Sequence, residues 1–483
     1  MESHNDELNK RRQQRRERQQ QRQREQKKFT ATLVIAAVVL ISCGILIFAV
    51  AQSARQGSSQ STQPPEHISQ TGETGGTTEP STEPTGPATV ITLAAVGDVN
   101  INDKTVAAGA GAVYDYTNTF VDVLPLLSEA DLTLMNFEGN LCGEPYGTAT
   151  VSAPQELMEA LYNAGVDVVQ MANSRCINNG DSGLATTLQN IRAAGMLPVG
   201  AYASKSEFKR TGGYTICDIQ GIKIAFVAFT KGMDGYAIPE QFDGHVNLLY
   251  TDYATMYKEV DTSGIRKVLR AAAKEKPDIT IALLHWGSEY SDKENKTQAT
   301  IKDLMIDEGV DAIIGTHPHY VQKMEIEKET GAFVAYSLGD FYSDAQRAGS
   351  EYSVVLHLEI TKDHITGETK VTNFEYTPIF TMEGIDGKLK VVRLQEQIDQ
   401  YLADNVRMVN DQTYSAMVYG LKRAHERVGK LVEGTAEETV PPTEETTAPT
   451  ETTGAATETT GETTVETTAE TTAESTGETT ASA

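Results

Sequence analysis

Short apolar runs recur through the middle of the chain, most of them closed by a small polar residue, a glycine or a histidine. Thr89–Val96, Asp131–Met135, Val166–Met171 and Leu197–Val199 read as strands, and Ile281–Leu284 and Ala312–Ile314 have the composition of strands buried on both faces. Between them lie stretches with helix signals: Phe120–Leu127, Pro154–Ala164 stopped by Gly165, Gly183–Ala194 stopped by Gly195, Ala254–Lys274, and Lys302–Gly309. Strand, helix and strand in succession, as in Ile281 to Ile314, predict a parallel crossover unit with its chemistry at the carboxyl ends of the strands. Tyr214–Ile219 and Ile222–Phe229 flank Gln220-Gly221 and predict a hairpin. After His319 the pattern turns β-rich, with Lys323–Glu327, Ala332–Tyr336, Tyr352–Ile360 and Val371–Pro378. These elements predict a layered α/β domain over 88–395, closed by a β-sheet half. A helical extension follows over 396–432, with Ile398, Leu402, Val406 and Val409 spaced three or four apart.

The flanks have another character. Residues 1–28 are almost wholly charged or amide, with Arg11, Arg12, Arg15, Arg16, Arg18 and Arg22 among the bases. Residues 29–54 carry no charge, long enough for the roughly 20 residues of a membrane-spanning helix. Bases before the span place the N-terminus in the cytoplasm and the main domain outside, a single-pass cell-membrane arrangement. Leu40-Ile-Ser-Cys43-Gly44 resembles a lipoprotein cleavage box, but Gly44–Val50 stays apolar where a mature lipoprotein would turn polar. A cleaved signal peptide is the other alternative, against which the basic region is unusually long. The uncleaved anchor is therefore the expectation. Residues 55–87 are a flexible linker, and 433–483 form a Thr/Glu-rich tail with no basic residue, expected to be disordered. The net charge of −26 is partly this tail and argues against nucleic acid as a partner. Outside the span only Cys142, Cys176 and Cys217 remain, an odd count that is no disulfide framework.

The predicted strands end on a consistent set of residues: Asp98; Asn136 and Glu138; Asn173; His285; His317 and His319. Asn136/Glu138 and His317/His319 are i,i+2 pairs, which extended backbone points to one side. Singly, each has a plain reading: Gly-Asp at a strand end is usually a turn, and a lone loop histidine is often just hydrogen-bonded. Together, carboxylate, amide and imidazole at successive strand ends suit a divalent metal such as Mn, Fe or Zn. Such an ion polarises a phosphoryl oxygen or makes hydroxide near neutral pH.

Gly97-Asp98-Val99, Asn136-Phe-Glu138, His285-Trp-Gly-x-Glu289-Tyr290, Gly315-Thr-His317-Pro-His319-Tyr-Val-Gln322 and Tyr336-Ser-Leu-Gly-Asp340-Phe341 resemble the motif series of the CapA-type capsule-synthesis family. That family is associated with poly-γ-glutamate capsules and is similar in fold to calcineurin-like metallophosphoesterases. The resemblance implies a metallophosphoesterase-like α/β sandwich with metal ligation by Asp98, Glu138, His285, His317 and His319. It also brings Asn173, Arg175 and Asp340 into the catalytic region. Three departures stand out: the family's Asn-Asn-His is here Asn173-Ser174-Arg175, and its Ser-Leu-Gly-Asn-Phe carries Asp340 in place of Asn. Serine ligates divalent cations poorly, so one metal rather than two is expected. Arg175 cannot be a general acid, but it can clamp an anion or pair with a nearby carboxylate in place of the second metal. Three functions follow: a membrane-anchored extracytoplasmic hydrolase or transferase in capsule polymer synthesis or export, a non-catalytic member that binds anionic polymer or scaffolds other polymer-synthesis proteins, and a plain surface-display protein.

Overall fold

The computed structural model describes residues 87–234, 236–240, 244–345, 347–403 and 409–429. The basic segment 1–28, the apolar stretch 29–54 and the tail 433–483 lie outside the described residues, as does the linker before residue 87. Among the described residues no helix is long and apolar enough to cross a membrane.

Strand β1 (Ala88–Asn100) is the hub of the first sheet. It pairs in parallel with β2 (Leu132–Glu138), and β3 (Val168–Gln170) and β4 (Leu197–Val199) continue outward in parallel. The chain then crosses to a second sheet. The hairpin of β5 (Tyr214–Ile219) and β6 (Ile222–Thr230) opens it, and β7 (Ile279–His285) and β8 (Ala312–Thr316) extend β6 in parallel. Beyond β8, β9 (Met324–Ile326) and β10 (Phe333–Ala335) form its far edge, in the order β5-β6-β7-β8-β10-β9. Strand β11 (Asp340–Tyr342) returns to lie parallel to β1 beside Asp98. The long antiparallel set β12 (Tyr352–Asp363), β13 (Thr369–Glu383) and β14 (Leu389–Arg393) then completes the first sheet along the other half of β1. The architecture is mixed α/β.

The continuous apolar runs follow from burial on both faces. In β6, Ile224, Phe226 and Ala228 enter the core shared with β1, while Ala225, Val227 and Phe229 enter a second core. In β7, Ile281 and Leu283 take the first side, and Ala282 and Leu284 the second. The second core is roofed by Ile265, Val268 and Leu269 of the helix Thr262–Ala273 and by Ile301 and Met305 of the helix Lys296–Asp307. A two-residue period thus divides each strand between two cores.

Several boundaries differ from the sequence expectation. The helix expected over Ala254–Lys274 spans only Thr262–Ala273, because Asp261 caps it by accepting the Gly264 N–H at 2.8 Å. The helix expected from Lys302 begins at Lys296, where Asn295 and Gln298 form a capping box before any apolar residue appears. Strands β1 and β2 run on to Asn100 and Glu138, so Asp98, Asn136 and Glu138 sit inside strands. The helical extension is two helices, Leu394–Ala403 and Asp411–Val428; Ile398 is buried but Leu402 is exposed, and Val406 lies outside the described residues. Cys142, Cys176 and Cys217 are all free thiols.

Candidate metal centre

Strand register brings the site together. In the first sheet Asp340, Asp98, Asn136 and Gln170 stand in register across β11, β1, β2 and β3. In the second, Thr230, His285 and Thr316 do the same across β6, β7 and β8. The carboxyl ends of both parallel sets therefore supply the site. Register shifts flank Asp98 on both sides, a bulge that turns its side chain into the interior. Gly97 permits this. A Cβ there would stand 1.8 Å from the Gly339 carbonyl oxygen, the group that accepts the Asp98 N–H at 3.0 Å.

Asp98 is fully buried and accepts two hydrogen bonds, from the Asn136 amide at 2.6 Å and from the His317 N–H at 3.1 Å. The same Asn136 amide nitrogen reaches Glu138 at 3.3 Å, so the i,i+2 pair does point to one side. Asn173 donates to Asn136 at 3.1 Å and to the Phe137 carbonyl at 2.7 Å, and accepts the Arg175 N–H at 3.0 Å. Its amide is spent on scaffolding. His285 Nδ1 lies 3.5 Å from Glu138 and 3.4 Å from the Thr316 hydroxyl. The His285 and His317 rings are 4.5 Å apart, and those of His317 and His319 6.0 Å. His317-Pro-His319 is not extended, as its spacing suggested. His317 and His319 both adopt left-handed φ, 91° and 58°, a strained turn of the kind that clusters at functional sites. Gln322, also buried, secures that turn: its amide donates to the Ser291 and Lys293 carbonyls and accepts from Gln298.

Electrostatics divide the cluster. Burial raises the Asp98 carboxyl to about 6, against the opposing charge of His319. Burial and then the Asp98 charge push Glu138 well above the usual carboxylate range. Burial, reinforced by neighbouring positive groups, holds His285 and His317 well below the ordinary histidine value, so both rings are neutral. Burial pulls His319 the same way, but Asp340, hydrogen-bonded to Nδ1 at 2.8 Å, with Glu138 and Asp98, outweighs it and lifts the ring to about 10. Asp340 is itself steadied by Asn100 at 3.0 Å.

Whether these residues fit a metal can be tested on their unmet polar atoms. His285 Nε2 and both ring nitrogens of His317 are buried with no hydrogen-bond partner. Desolvated, unpaired nitrogens of this kind each cost about 1–3 kcal/mol. A cation between them and the two carboxylates would relieve that cost. Ligand atoms of Asp98, Glu138 and His285 lie within 4.8 Å of one another, as do those of Asp98, His319 and Asp340, and those of Glu289, His317 and His319. The donor set fits a divalent ion of the Mn, Fe or Zn type. Neutral His285 and His317 are ready ligands, whereas His319 would first have to surrender its proton.

Ser174 is buried in the place of the family's second asparagine. Arg175, half-buried, pairs with Asp234 at 3.0 Å. Asp234 and Lys231, whose ammonium donates to the Gly287 carbonyl at 3.0 Å, were missed from sequence because β6 was expected to end at Phe229. Extending the strand-end rule past Thr230 would have found both.

The chain matches the family model described as bacterial capsule synthesis protein PGA_cap over residues 92–345. It is 27% identical over 263 residues to the capsule biosynthesis protein CapA of Bacillus anthracis, a match covering 53% of this chain and 60% of that protein. It is 26% identical over 318 residues to the PGA biosynthesis protein CapA of Bacillus subtilis, covering 64% and 76%. Among solved structures, calcineurin-like phosphoesterase YfkN from Bacillus subtilis aligns with a TM-score of 0.38 and 16% identity, over 71% of this chain and all of that one. With the family match covering more than half of its 483 residues, the chain belongs to the bacterial capsule synthesis protein family.

Proposed function

We propose that this protein is a membrane-anchored, extracytoplasmic capsule protein that holds one divalent metal ion and acts on an acidic cell-surface polymer of the poly-γ-glutamate type. The names of the two Bacillus relatives support the polymer, and the uncharged stretch 29–54 after a basic segment supports the anchor. The observation that carries the metal is the set of three unpartnered imidazole nitrogens buried beside Asp98 and Glu138.

Asp98, Glu138, His285 and His317 would hold the ion. When bound, such an ion polarises a substrate oxygen or acidifies a water molecule. The remaining residues orient and charge the site. Asn136, braced by Asn173, directs its amide at both carboxylates and keeps them aimed inward. His319 keeps a proton at Nδ1 against Asp340 and presents positive charge to an incoming anion. Arg175 contributes charge but no proton transfer. Ser174 and the Arg175–Asp234 pair support a single-ion centre, and they equally favour a second reading in which the protein binds polymer or scaffolds its synthesis without turnover.

The test is the metal content of the purified full chain beside a His317→Ala control. One tightly held Mn, Fe or Zn, lost in the control, is expected. Absence of metal from both proteins would refute the centre and leave the non-catalytic reading.

A further inference from the structure

In this acidic chain, every described arginine but one has a carboxylate within 4.0 Å. The exception is Arg347, and it stands at the metal centre. Its guanidinium lies 4.4 Å above the Tyr290 ring. Tyr290 in turn lies against the His319 ring, 5.2 Å away and tilted by 31°. The backbone on both sides is fixed. Tyr290 donates its N–H to the Pro318 carbonyl at 2.8 Å, Tyr320 donates its hydroxyl to the Ala348 carbonyl at 2.7 Å, and Ser350 closes a turn on the Arg347 carbonyl at 3.0 Å. Arg347 is therefore set beside His319 by the same turn that places His317.

A guanidinium stacked on an aromatic face keeps its in-plane N–H fork free, the edge that matches a carboxylate bidentately. The other described arginines of this acidic chain each have such a carboxylate partner. Here the aromatic platform holds Arg347 at the rim, open to solvent. We propose that Arg347 on Tyr290 is a carboxylate-recognition subsite, taking an acidic group of the polymer next to the unit held at the histidine cluster. This rests on the polymer reading above and names a specificity residue for it.

The test is binding of a fluorescent γ-linked glutamate oligomer to the full chain, wild type against Arg347→Gln and Arg347→Lys, with polyphosphate as a second probe. Arg347→Gln should weaken oligomer binding about tenfold or more, the effect of losing a charged hydrogen-bonding partner. Arg347→Lys should fall between, because it keeps the charge but loses the planar fork. Melting temperature and metal content should not move, since the side chain is exposed and touches no candidate ligand atom. Unchanged oligomer affinity in Arg347→Gln would overturn the subsite while leaving the polymer reading intact. Equal losses for oligomer and polyphosphate would overturn the assignment to carboxylates. A wild-type chain that binds no oligomer would overturn the polymer reading itself, and the subsite with it.

Discussion

Gly97→Ala is the substitution whose effect can be worked most directly from the structure. The added methyl would sit 1.8 Å from the Gly339 oxygen and 2.9 Å from its carbon, and the obstacle is backbone that no side-chain rotation can clear. Real Cβ atoms hardly ever come within 3.0 Å of such a neighbour, so the two segments must part by at least about 1.2 Å. That movement breaks the Asp98 N–H bond to Gly339, about 1 kcal/mol, and adds overpacking of about 1–3 kcal/mol. A loss of about 2–4 kcal/mol over about 330 described residues, at roughly 2.1 cal/mol/K each, lowers the melting temperature by about 3–6 °C. The sharper readout is metal affinity, because the residues displaced include Asp98 and, through β11, Asp340. Gly331→Ala is the control: its φ of 75° makes alanine strained there too, but a Cβ would meet nothing within 4 Å. Thermal scans and metal titrations should show Gly331→Ala losing a little stability and no affinity. If Gly97→Ala binds metal as tightly as the control does, the bulge is not what aims Asp98.

Two further outcomes follow from charge and ligand set. Burial lifts Asp98 from its usual 3.8 to about 6, so the metal-free folded state holds an extra proton in that window and loses stability as pH rises through it. A cation must displace that proton, and the raised Glu138 carboxyl adds to the effect; affinity should be at least roughly tenfold weaker at pH 5 than at pH 7, and pH-independent titrations would exclude Asp98 as a ligand. Ser174→Asn combined with Arg175→His restores the family's ligand types and removes the pair with Asp234. The double variant should take up more metal per chain and gain any phosphodiesterase activity, and no change in either would refute the single-ion account of these departures.

The parallel strands were legible because burial on both faces leaves a compositional mark, and Leu197–Val199 matches β4 to the residue. Gln220-Gly221 marked its hairpin because both residues must take positive φ, 55° and 82°. The gathering of strand ends was legible for the same topological reason. The His317-Pro-His319 conformation was not: the His317 N–H is bonded to Asp98, 219 residues away, and no local pattern encodes that partner. Nor was the Arg175–Asp234 pair, whose members lie in loops that follow strands of different sheets. The proton held between His319 and Asp340 depends on burial and on three carboxylates converging, which motif spacing alone does not express.

The pairing of β1 with β12 has a consequence for how the protein forms. Ala88 lies opposite Asp363, and the register continues to Ala95 opposite Leu356. The strand that carries Asp98 is therefore the first of the described strands to emerge during synthesis, yet it acquires its antiparallel neighbour only after most of the described chain has followed. Contacts of such long sequence separation carry a large loop-closure cost before they stabilise anything, so this sheet forms slowly and late. Until then β1 presents an unpaired edge rich in valine, isoleucine and leucine, the kind of edge that recruits other chains. The residues around Asp98 are brought together only once the C-terminal strands have arrived.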